Sequence, residues 1–154
     1  ALDMPNTNPH LPNATLVGQS RLRVMVHVYD AALYSTKNFN ANQPYAQTIA
    51  LSVKVGRSFR SATIVRQMVK EMNRQSLPTA TVASYEKIFA EVMPSVEEND
   101  TLTGVYHPKS GWSLWFKGKQ LGEWADDAFA KAFFDIWLGE NTSQADVRKD
   151  LLRL

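Results

Sequence analysis

The spacing of apolar residues changes in long blocks along this chain, and the order of those blocks limits the possible folds. Residues 22–28 and 49–55 place apolar side chains at every second position, which is the period of a strand with one buried face. The first block predicts one strand that continues past a bend towards Tyr34. An asparagine-rich loop then leads to a second strand.

From residue 61 to residue 92 the apolar spacing widens to every third or fourth position, which is typical of a helix with one buried stripe. Leu77-Pro78 divides this region into two helices, and Pro94 ends the second. Alternation returns in residues 102–124, where short turn sequences interrupt it. That pattern predicts a three-stranded antiparallel meander.

The last third of the chain predicts two further helices. Residues 126–138 are apolar around most of the helix circumference, which indicates a buried helix. Ser143 and Asp146 have the spacing of a capping box that would open a short final helix. Segregated runs of strands and helices favour an α+β fold, with helices layered on an antiparallel sheet.

Length and composition indicate one globular domain that follows a short N-terminal arm. The chain has 154 residues, of which 44% are hydrophobic and 21% charged, values that are near the globular average. No apolar run reaches the roughly 20 residues that a membrane span needs. Pro5, Pro9 and Pro12 disfavour regular structure, so we expect an extended arm over residues 1–14 and the domain over residues 15–154.

Several chemistries are excluded or disfavoured by the residue inventory. The chain has no cysteine, which excludes disulfides, thiolate metal sites and cysteine nucleophiles. Its 17 Lys and Arg residues give a net charge of only +2 and form no long block, so nucleic acid is not an expected partner. The three histidines lack metal-ligand spacing, and no nucleophile motif is present. We therefore predict no catalytic residue, no metal site and no cofactor.

A basic set lies where the second strand gives way to the first helix, a place where pocket mouths often form. Its members are Lys54, Arg57, Arg60 and Arg66. A guanidinium there could hold a carboxylate through two parallel hydrogen bonds. The alternative is a solvated charged surface. The four tryptophans leave a similar choice between core packing and a ring-stacking groove.

Three stretches resemble the chalcone isomerase-like family, in particular its bacterial branch. They are LRVMVHVYDAALY (residues 22–34), LSVKVGRSF (51–59) and FAKAFFDIWLGENTSQADVRKDLL (129–152). The resemblance implies an open-faced β-sandwich, in which an antiparallel sheet carries helices on one face and a ligand cleft lies between them. Relatives include plant isomerases, plant fatty-acid-binding proteins, fungal proteins associated with haem, and bacterial proteins that are often exported.

The resemblance also suggests which residues form the site. Phe59 stands where the isomerases have a tyrosine, and Tyr29 where they have a threonine, which disfavours isomerase activity. Arg57 matches a basic position of the fatty-acid-binding relatives, where an arginine holds the carboxylate. Tyr29, His27 and Phe59 are the further ligand-binding candidates.

The resulting prediction is a non-catalytic protein that binds a small, fatty-acid-like amphipathic acid in an apolar cleft, with Arg57 as anchor. One alternative is a chalcone isomerase-type intramolecular lyase that uses Tyr29. The other is haem binding through His27 or His107. The start at Ala1, without Met, fits a periplasmic or exported protein whose signal peptide was removed, and it fits a shortened chain equally. Oligomeric state is left open.

Overall fold

The computed structural model describes residues 4–154 and contains one sheet with a layer of helices. The elements, in chain order, are β1 (Thr15–Val24), β2 (Val26–Ser35), β3 (Ile49–Val55), α1 (Ser61–Met72), α2 (Thr79–Val92), β4 (Thr101–His107), β5 (Gly111–Phe116), β6 (Lys119–Trp124), α3 (Asp127–Leu138) and α4 (Ala145–Leu152). Single turns of 3₁₀ helix lie at Pro44–Ala46 and Asn73–Gln75.

The six strands follow one another across the sheet in the order β1-β2-β3-β4-β5-β6, and every neighbouring pair is antiparallel. We call the face that packs against the helices the inner face; Ala31, Leu33 and Leu51 lie on it. The opposite face, which we call the outer face, carries Ala32, Tyr34, Ala50 and Val105. This architecture confirms the predicted α+β open-faced sandwich.

The prediction of a single strand through residues 22–28 is wrong. The chain reverses at Met25, which has a φ of +65°, and Val24 pairs directly with Val26. Leu22 and Val28 nevertheless face the same side of the sheet. Because the reversal keeps the alternation in phase, the sequence pattern of two strands is the same as that of one.

An aromatic cluster fills the space between the inner face and the helices. The Trp112 side chain is 2% exposed, and its ring stacks on Phe133 with 4.3 Å between centroids. Phe89 and Phe129 complete the cluster around it. Trp112 is therefore a core residue, whereas Trp137 lies farther along α3 and is half-buried.

Residues 4–14, which belong to the predicted arm, pack on the outer face; residues 1–3 lie outside the described residues. Leu11 and Ala14 are buried there. Asn8 Nδ2 donates to Ser52 Oγ at 2.7 Å, and the Tyr34 hydroxyl donates to the Pro5 carbonyl at 2.8 Å. The segment thus shields part of the sheet that carries no helix.

Helix α4 lies directly on β1. A Cβ atom on Gly18 would lie only 2.2 Å from the Asp150 carbonyl oxygen, so only glycine permits this approach. Ser20 Oγ also donates to Asp150 Oδ2 at 2.6 Å. Of the helices in residues 4–154, none combines the length and apolarity that a membrane crossing needs.

The predicted capping box at Ser143 is wrong. Helix α4 begins at Ala145, and no side chain caps its first turn. Ser143 instead donates to Glu71 of α1, from its Oγ at 2.6 Å and from its backbone nitrogen at 3.1 Å. The hydroxyl therefore ties the loop before α4 to a neighbouring helix.

Candidate functional site

A cavity of about 380 Å³ lies between the inner face of the sheet, α1 and α3. Most of its lining is apolar, contributed by one stripe of each helix and by alternate strand residues, except that the consecutive residues Val28 and Tyr29 both line it where β2 has a bulge. The lining residues are Leu22, Val24, Val28, Tyr29, Leu51, Val53, Val55, Phe59, Thr63, Ile64, Gln67, Met68, Glu71, Met93, Leu102, Gly104, Leu114, Phe133, Ile136, Trp137, Ser143 and Gln144.

The cavity runs along α1. Ile64 and Met68 are one helical turn apart on the side of α1 that faces the sheet. Gly104 of β4 gives room opposite, since a Cβ atom there would lie 2.9 Å from the Phe133 ring. The volume and the apolar lining match those of sites that bury small organic ligands.

Tyr29 supplies a hydroxyl within this apolar lining. Burial raises its pKa to about 12, while interaction with the Trp137 side chain opposes the rise and the charge of Glu71 adds to it. A neutral phenol therefore persists at physiological pH. It can donate a hydrogen bond to a polar atom of a molecule in the cavity.

Glu71 is the charged group among the lining residues, which include no lysine or arginine. Its carboxylate already accepts two hydrogen bonds from Ser143. Glu71 is half-buried and Ser143 is exposed, so this charge lies at one edge of the cavity. A second carboxylate close to it would be repelled by the like charge, and a carboxylate in the apolar interior would lack the cation that a buried charge needs. An acidic head group can therefore be accommodated only at the edge of the cavity, while the interior suits an uncharged chain or ring.

Two of the four residues singled out from the sequence, Tyr29 and Phe59, line the cavity. Arg57 is exposed, and its guanidinium carbon lies 6.0 Å from the centroid of the Phe59 ring. It therefore stands one aromatic ring away from the cavity, on the solvent side. Lys54, Arg60 and Arg66 are exposed as well.

His27 is not among the lining residues and interacts instead with an acidic residue. Its Nε2 lies 2.9 Å from Asp30 Oδ1, and Arg21 donates to both carboxylate oxygens of Asp30 at 2.7 and 3.0 Å. Burial opposes ionisation of Asp30, but the hydrogen bonds from Arg21 and His27 prevail and lower its pKa. Since Tyr29 faces the cavity, the alternation of β2 directs Asp30 to the outer face.

The other two histidines belong to a second depression of about 490 Å³, on the β4–β6 side of the molecule. His10 stacks on Trp115 with 4.9 Å between ring centroids, and His107 lies on the same wall. The structure thus does not bring His27 and His107 together.

The polar part of the cavity wall was not predicted from the sequence. Gln67 and Glu71 of α1 line it together with Trp137 and Ser143. Gln67 and Glu71 lie four residues apart beside the apolar stripe of α1, which places them on one edge of that stripe. That spacing was the available signal, although it is equally typical of a solvent boundary.

Comparisons with known proteins agree with the fold. A crystal structure of a fatty-acid binding protein from Arabidopsis thaliana superposes with a TM-score of 0.72 at 13% sequence identity, over 97% of this chain and 90% of that one. A search of curated proteins found no match. The family model described as chalcone isomerase-like matches residues 13–153, and the chain therefore belongs to the chalcone isomerase-like family.

Proposed function

We propose that this protein is a non-catalytic binding protein for a small, fatty-acid-like amphipathic acid. The observation that carries the proposal is the apolar cavity of about 380 Å³ between the sheet and α1. The fatty-acid binding protein from Arabidopsis with the same fold supports it. The hydrocarbon chain would fill the cavity, where burial of apolar surface drives binding.

The carboxylate of the ligand would remain at the edge of the cavity beside Arg57. The apolar interior disfavours a negative charge, whereas Arg57 lies within one aromatic ring of the lining. An exposed guanidinium can contact a carboxylate through two hydrogen bonds without desolvating either group fully. Arg57 is therefore assigned the role of anchor and a modest share of the affinity.

Displacement of the fluorescent fatty acid cis-parinarate tests the proposal. Val53→Trp would place a large side chain in the cavity and is expected to weaken binding at least about tenfold. Val69→Trp is the matched control, since Val69 is a half-buried valine outside the lining. Equal binding by wild type and Val53→Trp would contradict the proposed site.

Arg57→Ala tests the anchor separately. Its loss should weaken binding of the fatty acid about two- to fivefold, the range for an exposed ion pair, and leave binding of the corresponding fatty alcohol unchanged. An equal effect on acid and alcohol, or no effect on either, would remove Arg57 from the site.

A lyase of the chalcone isomerase type is the second candidate, favoured by the neutral phenol of Tyr29 in the cavity. A donor of this kind can stabilise an enolate oxygen as it develops. Incubation with chalcone tests it through the absorbance change on ring closure. Turnover that Tyr29→Phe abolishes would establish the lyase and refute the non-catalytic proposal.

Two further proposals concern haem and location. Haem ligation by His27 or His107 predicts a Soret band when the protein is titrated with haem, and this band should be lost in the matching His→Ala variant. A titration without a Soret band would contradict haem ligation.

The periplasmic or exported location predicts recovery of the native protein in the periplasmic or secreted fraction. Recovery in the cytoplasm would contradict it.

A further inference from the structure

The tip of the β1–β2 hairpin exposes three consecutive apolar side chains, Val24, Met25 and Val26. Their exposed fractions are 61%, 102% and 46%. Together with Leu154 at the carboxyl terminus, they are the large apolar residues that the described part of the chain leaves most exposed. We call residues 24–26 the hairpin tip.

Turn geometry does not account for methionine at this position. Met25 has a φ of +65°, a backbone conformation that glycine and asparagine adopt readily and that a bulky side chain adopts at a cost. Burial does not account for it either, because the side chain is fully exposed. The exposure of Met25 is unfavourable in water, which points to an apolar environment for the hairpin tip.

The charged residues nearest to the hairpin tip along the chain are basic. Arg21 and Arg23 precede it, and no acidic residue lies between positions 21 and 29. Asp30, the next acid along β2, is 7% exposed and is held by Arg21 and His27. Gly56 packs against His27, so the next residue, Arg57, lies near the end of the hairpin that carries the tip.

We propose that the hairpin tip inserts into the surface of an anionic lipid bilayer, with Arg23 and Arg57 towards the head groups. Apolar side chains at a tip with a basic collar combine the two attractions that interfacial binding uses. Three side chains on one turn cannot supply the roughly 800 Å² per partner of a stable protein interface, whereas a bilayer requires no complementary surface. Val24 also lines the cavity, so the docked end of the molecule adjoins it.

Sedimentation with vesicles of phosphatidylcholine, with and without phosphatidylserine, tests the proposal. The wild type should bind the anionic vesicles. Met25→Asn should bind them at least about tenfold more weakly. Asparagine suits the positive φ, so this variant should remain folded. Leu154→Asn removes another exposed apolar side chain, at the carboxyl terminus, and is expected to bind as the wild type does.

Arg23→Gln separates the electrostatic contribution. It should weaken binding to anionic vesicles, and added salt should do the same. Failure of the wild type to bind anionic vesicles, or equal binding by Met25→Asn and Leu154→Asn, would overturn the proposal. So would a concentration-dependent dimer that Met25→Asn dissolves, since the tip would then bind a second copy.

This inference does not depend on the proposed ligand. Met25 is not among the lining residues, so Met25→Asn should bind cis-parinarate as the wild type does. Val53→Trp should lose cis-parinarate and keep vesicle binding. Failure of one proposal is therefore distinguishable from failure of the other.

Discussion

Replacing Tyr29 with phenylalanine should change how the stability of the protein depends on alkaline pH. The pKa of this phenol rises from 10.0 to about 12 in the folded protein, chiefly because the cavity wall shields it from water. In the unfolded chain it ionises near its ordinary value. Between pH 10 and pH 12 the unfolded state has therefore lost a proton that the folded state keeps, and stability falls as pH rises.

The size of the effect follows from the pKa difference. Each unit corresponds to about 1.4 kcal/mol, so a shift of about two units amounts to about 2.7 kcal/mol at a pH well above 12 and to about 2.3 kcal/mol at pH 12. About half of the full loss, ~1.4 kcal/mol, is expected by pH 11. Tyr29→Phe has no proton to lose at this position and should be spared this contribution.

Urea unfolding of both proteins at pH 8, 9, 10 and 11 measures the difference directly. Tyr34, Tyr45, Tyr85 and Tyr106 also have raised pKa values, but they are present in both proteins and cancel. The free energy of unfolding of the wild type should therefore decline relative to the variant above pH 10. Parallel pH profiles would refute the burial of the Tyr29 hydroxyl in a poorly hydrated cavity.

Two further substitutions test how the helices are held against the sheet. Gly18→Ala should destabilise the protein by about 1–3 kcal/mol, since the new methyl group would meet the Asp150 carbonyl of α4; an unchanged urea midpoint would contradict this packing. Asp126→Ala should cost about 1 kcal/mol, because Asp126 Oδ1 accepts a hydrogen bond from the backbone N–H of Phe129, one of the free N–H groups in the first turn of α3, at 3.0 Å. Asp126→Asn should retain most of that stability, and equal losses in the two variants would argue against a capping role.

Much of the fold could be predicted because apolar periodicity reports which face of an element is buried. It correctly separated the helical region 61–92 from the strands on either side of it. The reversal at Met25 escaped prediction because no glycine, proline or asparagine marks it and the alternation continues in phase. The partner of Ser143 escaped because Glu71 is remote in sequence, and local capping rules have no access to it.

The lining residues that lie in motifs of the family could be predicted from the sequence. Those whose position depends on how the helices pack could not. Tyr29 and Phe59 line the cavity. The placement of Arg57 outside the lining depends on the turn after β3, and sequence spacing does not report that geometry. Gln67 and Glu71 form part of the polar wall because α1 packs over the cavity with these two residues among its lining.

The central claim is that an apolar ligand occupies the cavity between the sheet and α1, and methionine methyl groups provide a direct test. The five methionines are distributed inside and outside the site: Met68 and Met93 line the cavity, Met72 is buried in the core, Met4 packs on the outer face, and Met25 is in the hairpin tip. Titration of protein labelled with ¹³C at the methionine methyl groups with oleate should shift the NMR signals of Met68 and Met93 and leave those of Met4 and Met25 in place. Unshifted Met68 and Met93 signals at saturating oleate, or a shift confined to Met4, would contradict the account.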